Sequence, residues 1–484
     1  MAAQTVTPTT SSSDSIVILG AGIIGVSTAY YLSQQQQQES RPAAIHLVEP
    51  SPELFASASG YAGGFLARDW FAPAAAALGA LSFDEHRRLA EREDGARRWG
   101  YAPSTAVSVS YCDAPAGGRG RPRDGCAGGA GAGAGAVADV WCREGGSRAA
   151  VASGVVSGGK GKGKGDESAP AWLRRREGDE VVVISEEGTV AQVDPLQLCQ
   201  FLLQKCLSAG VQLHHPSRAL SVVTDAATGA LAGLRIATAT ASTTSPDAAP
   251  RTTLPCTVLV LAAGAWTPSV FSALFPASPL RLPISSLAGH SLVVENKKPP
   301  PSLSPSQAQE RRRCHAVFLA HAPSPPNTAE EEEEEEEEVT TTYAPELFSR
   351  AAGGSIYVAG LNSSAEPLPP LPTDAKARVS ALARLRDTAR EVLLVGGGEE
   401  EGEQIRVLRE GLCFRPVTRG GTPIVGRVPP DGAMGGAVYV AAGHGPWGIS
   451  MGLGTGRVVA EMVRGMPLSA DVAGLGVEEA CLAG

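Results

Sequence analysis

The sequence predicts an α/β fold: a helix-wound parallel sheet assembled from distant segments, joined to a second unit on a mixed, largely antiparallel sheet. Three observations predict it. The apolar run Ser15 to Leu19 stops at a glycine and passes into helical spacing. Two more apolar runs, Thr257 to Ala262 and Ala437 to Ala441, stand far downstream. The last of them leads through a glycine-rich turn into a second helical pattern, Gly448 to Val463. Strands alternating with helices in this way signify a parallel sheet.

The elements follow in order. Met1 to Asp14 is polar and lacks an apolar core, so residues 1–14 are expected to be disordered. Ser15 to Leu19 is a buried strand, Ile23 to Gln34 a helix, and Ala43 to Val48 a second strand. Small residues then crowd the passage Pro50 to Trp70. Pro195 to Ala209 has helical periodicity, and Val211 to His214 and Ala219 to Val223 are strand-like. These pieces assign residues 15–80, 191–270 and 405–470 to the helix-wound unit. Residues 81–111, 179–190 and 271–395 supply the second unit.

Between them lie biased stretches. Residues 112–178 carry Gly-Ala alternation and Gly-Lys repeats, and residues 296–340 carry proline clusters followed by glutamates. Thr238 to Arg251 and Gly396 to Glu403 are shorter cases. Such compositions bury too little apolar surface to offset chain entropy, so disordered loops are expected.

A chain of 484 residues suffices for two packed domains. The net charge is −9, but Glu330 to Glu338 is an unbroken run of nine glutamates, and without it acids and bases balance at 41 each. Such a run is a solvated loop, and no basic footprint points to nucleic acid. Nine scattered cysteines form no disulfide framework or zinc spacing. His214 and His215 alternate across a strand, cannot share one metal, and are read as structural. No stretch nears the ~20 apolar residues of a membrane span. The N-terminus lacks the features of a secretory signal, and Cys-Leu-Ala-Gly at the end is no peroxisomal address. A cytoplasmic location is expected, with organelle addressing left open.

Gly20-Ala-Gly22-Ile-Ile-Gly25 sits between the first strand and first helix, the context that makes a GxGxxG motif informative. Gly20 permits the tight turn, Gly22 lets backbone approach a pyrophosphate, and Gly25 lets helix and sheet pack closely. The helix start offers unpaired amides to an anion. Glu49 closes the second strand, where an acid can bond ribose hydroxyls. This is a Rossmann-type dinucleotide site.

The choice between NAD and FAD comes from elsewhere. An NAD domain would continue with another helix and strand after Glu49. Here Ser57, Ala58, Ser59 and Gly60, then Ala62, Gly63 and Gly64, suit backbone threaded along a longer ligand. The strand from Val258 ends in Ala263 and Gly264, where bulk would block a cofactor. Amides of the block Ala441 to Ile449 can converge on the partial negative charge of a reduced flavin ring. FAD is the expected cofactor.

These blocks, GAGIIG, the Glu-ended strand, VLAAGAW, CFRPVTRGGTPIVG and AAGHGPWGISMGLGTG, together resemble the D-amino-acid oxidase and glycine oxidase superfamily of FAD-dependent oxidoreductases. The segment SASGYAGGFLARDW is most similar to poorly characterised fungal and plant members linked to topoisomerase I damage and endosomal trafficking. The resemblance implies Ile23 and Ile24 on the pyrophosphate and Glu49 on the adenosine ribose. It implies Ser57, Ser59, Ala62, Gly63 and Gly64 along the pyrophosphate-to-flavin stretch, and Ala219 at the adenine. The block around Gly443, from His444 and Gly445 through Trp447, Gly448 and Ile449 to Ser450, would wrap the flavin ring.

Arg415 matches the arginine that holds the substrate carboxylate in glycine-oxidase-like members, a role suited to its bidentate fork. The plain alternative is an ion pair at a sheet edge. Hydride transfer to flavin from the carbon bearing nitrogen is the implied reaction, and it needs no separate acid or base. Such relatives carry a second arginine where this chain has Pro446, which puts a small amino acid in doubt. Trp447 beside it suits a larger ligand or a packed lid.

Cys413 lies where sarcosine-oxidase-like relatives attach FAD through sulfur. A small apolar residue beside a non-covalent flavin is the preferred reading. His290 is a second candidate for the substrate side, and Arg68, Asp69 and Trp70 are weaker ones. The expected partners are a small amine or amino acid and oxygen or another electron acceptor. Two alternatives stand beside an oxidase: a flavin dehydrogenase using another acceptor, and a flavin-fold regulatory protein in endosomal trafficking.

Overall fold

The computed structural model describes residues 15–36, 42–111, 169–176, 178–185, 188–239, 249–296, 314–319, 343–351, 354–394, 405–429 and 437–482. Residues 1–14 and the biased stretches 112–168, 240–248, 297–313, 320–342 and 395–404, on which disorder was expected, lie outside them.

The first strands are β1 (Ser15–Leu19), β2 (Ala44–Val48), β3 (Phe65–Ala67), β4 (Ala102–Ser110), β5 (Glu180–Ser185) and β6 (Val190–Gln192). Then come β7 (Gln212–His214), β8 (Ser217–Thr224), β9 (Leu231–Thr238), β10 (Arg251–Pro255), β11 (Val258–Leu261) and β12 (Ile284–Glu295). The last are β13 (Cys314–Leu319), β14 (Glu346–Arg350), β15 (Ser355–Ser363), β16 (Val407–Thr418), β17 (Ile424–Arg427) and β18 (Val438–Ala442). The helices are α1 (Ile23–Gln35), α2 (Ala58–Tyr61), α3 (Pro73–Glu93), α4 (Gly95–Arg98) and α5 (Pro195–Ser208). They continue with α6 (Thr267–Leu274), α7 (Val379–Val392), α8 (Gly448–Arg464) and α9 (Val477–Leu482).

A six-stranded sheet runs in the order β17-β18-β11-β1-β2-β7. It is parallel except for β17, so strands from both ends of the chain lie side by side. A parallel sheet must be covered on both faces, which is why β1 is apolar at every position but its first. Ile16 and Ile18 face a core shared with α1, α5 and α8, while Val17 and Leu19 face one built with β9, β10 and α6. Helices α1 and α8 touch through small residues: a Cβ on Gly456 would lie 2.5 Å from the Ser27 backbone. The sheet β10-β9-β8, antiparallel throughout, covers part of the second face.

The larger sheet has nine strands, eight in the order β16-β12-β15-β14-β13-β4-β6-β3, with β5 on β4. Its pairs are antiparallel except β4 with β13. The expected mixed, largely antiparallel sheet is present. Apolar residues of α7, among them Leu385, Ala389 and Val392, pack on one face. On the other face Phe65, Trp70, Phe318 and Phe348 form an aromatic cluster.

One expectation is corrected. The stretch 296–340, read as an insertion throughout, contains Cys314–Leu319, a strand paired to both β4 and β14. Its six residues, CHAVFL, are apolar enough to be buried on both faces, but prolines and glutamates flank them and mask the signal. Among the described residues no helix is long and apolar enough to cross a membrane.

Candidate active site

The turn after β1 is shaped by backbone geometry. Gly20 has φ +100°, and a Cβ there would stand 2.5 Å from Ala262 O on the neighbouring strand. Its N–H donates to Val48 O at 2.9 Å, closing the turn on β2. The start of α1 has no side-chain cap from Gly22; instead Ile23 N donates to Ser59 Oγ at 2.9 Å. Gly25 packs beneath, where a Cβ would lie 1.9 Å from Gly20 O.

Glu49 follows β2. Its Oε2 accepts from Ala21 N at 2.9 Å and its Oε1 from Ser51 N at 3.0 Å. Burial pushes its carboxyl up, and these two backbone donors oppose the shift. Each oxygen keeps acceptor capacity for a ligand hydroxyl.

A cleft of about 530 Å³ opens from this turn, within the ~300–1,000 Å³ of ligand pockets. Gly20, Gly22, Ile23, Ile24 and Glu49 line its one end, with Ala219 of β8 nearby. Ser57, Ser59, Ala62, Gly63 and Gly64 continue the wall, and Ala263 and Gly264 face them after β11. His444, Gly445, Gly448 and Ile449 complete it from the far end of the chain. Cys413 and Arg415 of β16 enter from the larger sheet. Segments from opposite termini therefore meet around one long cavity. Close backbone, two glycine turns and a carboxylate at the strand end fit a dinucleotide such as FAD.

Three residues expected at the cofactor stand behind this lining. Gly25 belongs to the packing under the turn. Gly443 has φ +81° and lies against Thr418, where a Cβ would be 2.7 Å from Cγ2. Trp447 is buried against Phe65, Trp70 and Phe71, with centroids 5.1–6.5 Å apart, so its ring is a packing element. His444 is buried, its Nε2 3.0 Å from Thr455 Oγ1, and burial pushes its pKa down to about 3.

Arg415 is half-buried, with Nη1 donating to Asn362 Oδ1 of β15. Its guanidinium lies over Gly289 of β12, where a Cβ would be 2.2 Å from Nη1. The Tyr357 hydroxyl also bonds it. Burial works against its charge, but Cys413, Tyr357 and Glu346 outweigh that, so Arg415 stays protonated. Glu346, Tyr357 and Asn362 line the same cleft, and Glu346 is only 8% exposed. Sequence reasoning missed these three. The available signal was one acid in an apolar strand pattern, obscured by the glutamate run just upstream. Cys413 is buried, which pushes its thiol up.

The other candidates lie elsewhere. His290 is buried at an irregularity in the β12–β15 register, and its Nε2 accepts from Arg378 N at 3.0 Å. Burial, then the charges of Arg378 and Arg415, push its pKa down to about 4. Arg68 pairs with Asp84 at 3.4 Å and buried Trp70 donates to Ser185 Oγ at 2.7 Å. Neither they nor Asp69 line the cleft. His214 meets His46 across β2 and β7, Nε2 to Nδ1 at 3.0 Å. Among the described residues no group of three or more His, Cys, Asp or Glu is placed to hold a metal.

A family profile described as FAD dependent oxidoreductase matches residues 15–118 and 167–462. A Schizosaccharomyces pombe protein provisionally named an oxidoreductase is 25% identical over 456 residues, 94% of each chain. The Saccharomyces cerevisiae protein TDA3, named in the same provisional way, is 42% identical over 94 residues, 19% of this chain and 17% of that one. Among solved structures, glycine oxidase from Geobacillus kaustophilus superposes with a TM-score of 0.59 at 17% identity, covering 96% of this chain and 97% of its own. NikD, an amino acid oxidase of nikkomycin biosynthesis, gives 0.60 at 16% identity with the same coverage. At these identities the structural likeness speaks for the fold.

Proposed function

The chain belongs to the family of FAD-dependent oxidoreductases, and from that membership we propose that it oxidises an amino acid or a secondary amine with oxygen as acceptor. The supporting observation is Arg415, a charged guanidinium facing the same cleft as the glycine-lined cofactor stretches. Asn362 and Tyr357 fix its orientation, and its remaining N–H groups suit a substrate carboxylate. Glu346 brings a carboxyl group to the same cleft, which suits the ammonium end of a zwitterion.

Bound FAD supplies the hydride acceptor. Gly20, Gly22, Ile23 and Ile24 would present backbone to the pyrophosphate, Glu49 would take the ribose hydroxyls, and Ala219 would lie at the adenine. Residues 57–64, Ala263, Gly264, Cys413 and 444–449 would hold the flavin end non-covalently. The amine loses a hydride and a proton to give an imine, which water converts to a carbonyl compound and the free amine or ammonia. Oxygen takes the two electrons and two protons as hydrogen peroxide.

The test uses the purified full-length protein with FAD, mixed anaerobically with a panel of amino acids and N-methylated amines. At least one compound should bleach the visible flavin band and yield peroxide when oxygen is readmitted. Bleaching without peroxide would shift the electrons to another acceptor. A band that no amine bleaches would overturn the proposal.

A further inference from the structure

Three consecutive carbonyls of the small-residue stretch are occupied by groups outside the cleft lining. Ala62 O accepts from Arg350 Nη2 at 3.1 Å, Gly63 O from Gln192 Nε2 at 2.6 Å, and Gly64 O from Val193 N at 3.0 Å. In a trans peptide the N–H points opposite to the C=O. Carbonyls held this way turn the amides of Gly63 and Gly64 in the other direction. Ala62, Gly63 and Gly64 line the cleft, whereas Arg350 and Gln192 do not. Among the described residues neither amide finds a hydrogen-bond acceptor. Buried N–H groups are costly to leave unpaired, so this pair is built to meet an acceptor that arrives with a ligand.

The holding groups are themselves anchored. The Arg350 side chain is 8% exposed and pairs with Asp194 at 3.2 Å. The other oxygen of Asp194 caps α5 through Gln197 N at 3.0 Å. Gln192 is fully buried and also donates to Val193 O at 3.1 Å. Gly63 lies against rings: a Cβ would be 2.4 Å from Phe348 and 2.9 Å from Tyr357. Its close seating leaves the two peptide planes little freedom.

We propose that Arg350 and Gln192 are cofactor-positioning residues. They clamp the carbonyls of Ala62 and Gly63 so that the amides of Gly63 and Gly64 form a two-donor receptor for negative charge on bound FAD. That charge is carried by the pyrophosphate or by the reduced ring, and the inference rests on the flavin reading of the cleft.

Two variants test it: Gln192→Glu, an isostere that cannot donate while ionised, and Arg350→Met combined with Asp194→Asn, which removes the buried pair together. The apoproteins are titrated with FAD by flavin fluorescence, their melting is followed by circular dichroism, and the midpoint potential is measured by dye equilibration. Both should melt as folded proteins and lose about ten-fold or more in affinity for at least one redox state of FAD. Lowering the pH should restore binding to Gln192→Glu alone, because a protonated carboxyl donates again. A loss confined to the reduced state places the receptor at the ring and lowers the potential by about 30 mV per ten-fold. An equal loss in both states places it at the pyrophosphate. Should either variant fail to fold, Arg350→Lys gives the same comparison with the charge retained. Folded variants that bind both redox states within about two-fold of wild type overturn the clamp. A wild-type protein that binds no FAD overturns the cofactor reading beneath it.

Discussion

Alanine at Gly25 and alanine at Gly22 separate what the first turn does for the fold from what it does for the cofactor. At Gly25 the new methyl would stand 1.9 Å from Gly20 O, where ordinary contact begins near 3.4 Å. The start of α1 would have to retreat from the end of β1 by about 1.5 Å, the difference between those distances. The obstacle is backbone, so no rotamer relieves it. Overpacking of this kind costs about 1–3 kcal/mol, and the upper end applies where nothing can give way. For a chain of this size, a penalty at that upper end lowers the melting temperature by roughly 3–4 °C. At Gly22 the methyl meets only Ser59 Oγ, at 3.0 Å, and φ is an ordinary −70°. The apoprotein should therefore melt within roughly 1 °C of wild type. Gly22 lines the cleft, however, and a methyl there holds a pyrophosphate away from the α1 amides. FAD affinity should fall about ten-fold or more, the loss of one charge-assisted hydrogen bond. Circular dichroism melting of the two apoproteins and fluorescence titration with FAD read both quantities. A Gly25→Ala apoprotein as stable as wild type, or a Gly22→Ala protein that binds FAD as tightly, would refute the division of roles.

Arg415→Lys keeps the charge and removes the fork, so kcat/KM for the oxidised amino acid should fall by about 10- to 100-fold. An analogue without the carboxylate should be oxidised as before, and an equal loss on both would remove Arg415 from carboxylate binding. Glu346→Gln should raise KM more than it lowers kcat; an unchanged KM in steady-state kinetics would place Glu346 outside substrate binding. Burial holds Cys413 as a thiol, so acid precipitation should leave FAD in the supernatant, and flavin on the pellet would show attachment. Burial depresses His86, which is buried in α3 with its Nε2 2.9 Å from Ile449 O, and His290 to about 4 and His444 to about 3, against an ordinary 6.5. The unfolded chain therefore takes up protons before the native one, and this stability, complete above pH 6.5, is lost as pH falls towards 4. Each histidine contributes about 1.4 kcal/mol per pH unit in that window. A urea midpoint that stays flat from pH 6.5 to pH 5 would contradict the burial of these rings.

The parts of the fold legible in the sequence are those set by local rules. Strand β1, its glycine turn and helix α1 follow from adjacent residues, and α5 and α8 from apolar periodicity. Predicted and observed ends differ there by a residue or so. Strand β13 was hidden because five apolar residues and a histidine cannot outweigh the composition around them. The substrate end of the cleft was legible only at Arg415. Glu346, Tyr357 and Asn362, on the β14–β15 hairpin, converge on it because β12 pairs with both β15 and β16, a long-range register that no local pattern encodes. His290 was the opposite case. It follows Gly289, over which Arg415 rests, but successive residues of a strand face opposite sides, and its ring meets Arg378 N instead. Trp447 shows that a chain segment can border a ligand while one of its side chains packs away from it.

The two walls of the cleft divide the chemistry between them. The six-stranded sheet and its turns contribute main chain and small residues, from Gly20 and Gly22 at one end of the chain to Gly445 and Gly448 at the other. The nine-stranded sheet contributes the charged and hydrogen-bonding side chains Arg415, Glu346, Tyr357 and Asn362. A wall made of backbone accepts little change where an added methyl would strike neighbouring backbone, as at Gly20 and Gly64. A wall made of side chains on paired strands can change its chemistry while the pairing persists. On the proposed function, substrate choice would reside mainly in β14, β15 and β16 and cofactor retention mainly in the turns. The stretch 57–64 borders both, because it lines the cleft while Arg350 and Gln192 of the larger sheet hold the carbonyls of Ala62 and Gly63. On the proposed clamp, a substitution at Arg350 or Gln192 reaches the cofactor from the larger sheet, whereas one in Arg415, Glu346 or Asn362 should leave FAD binding unchanged.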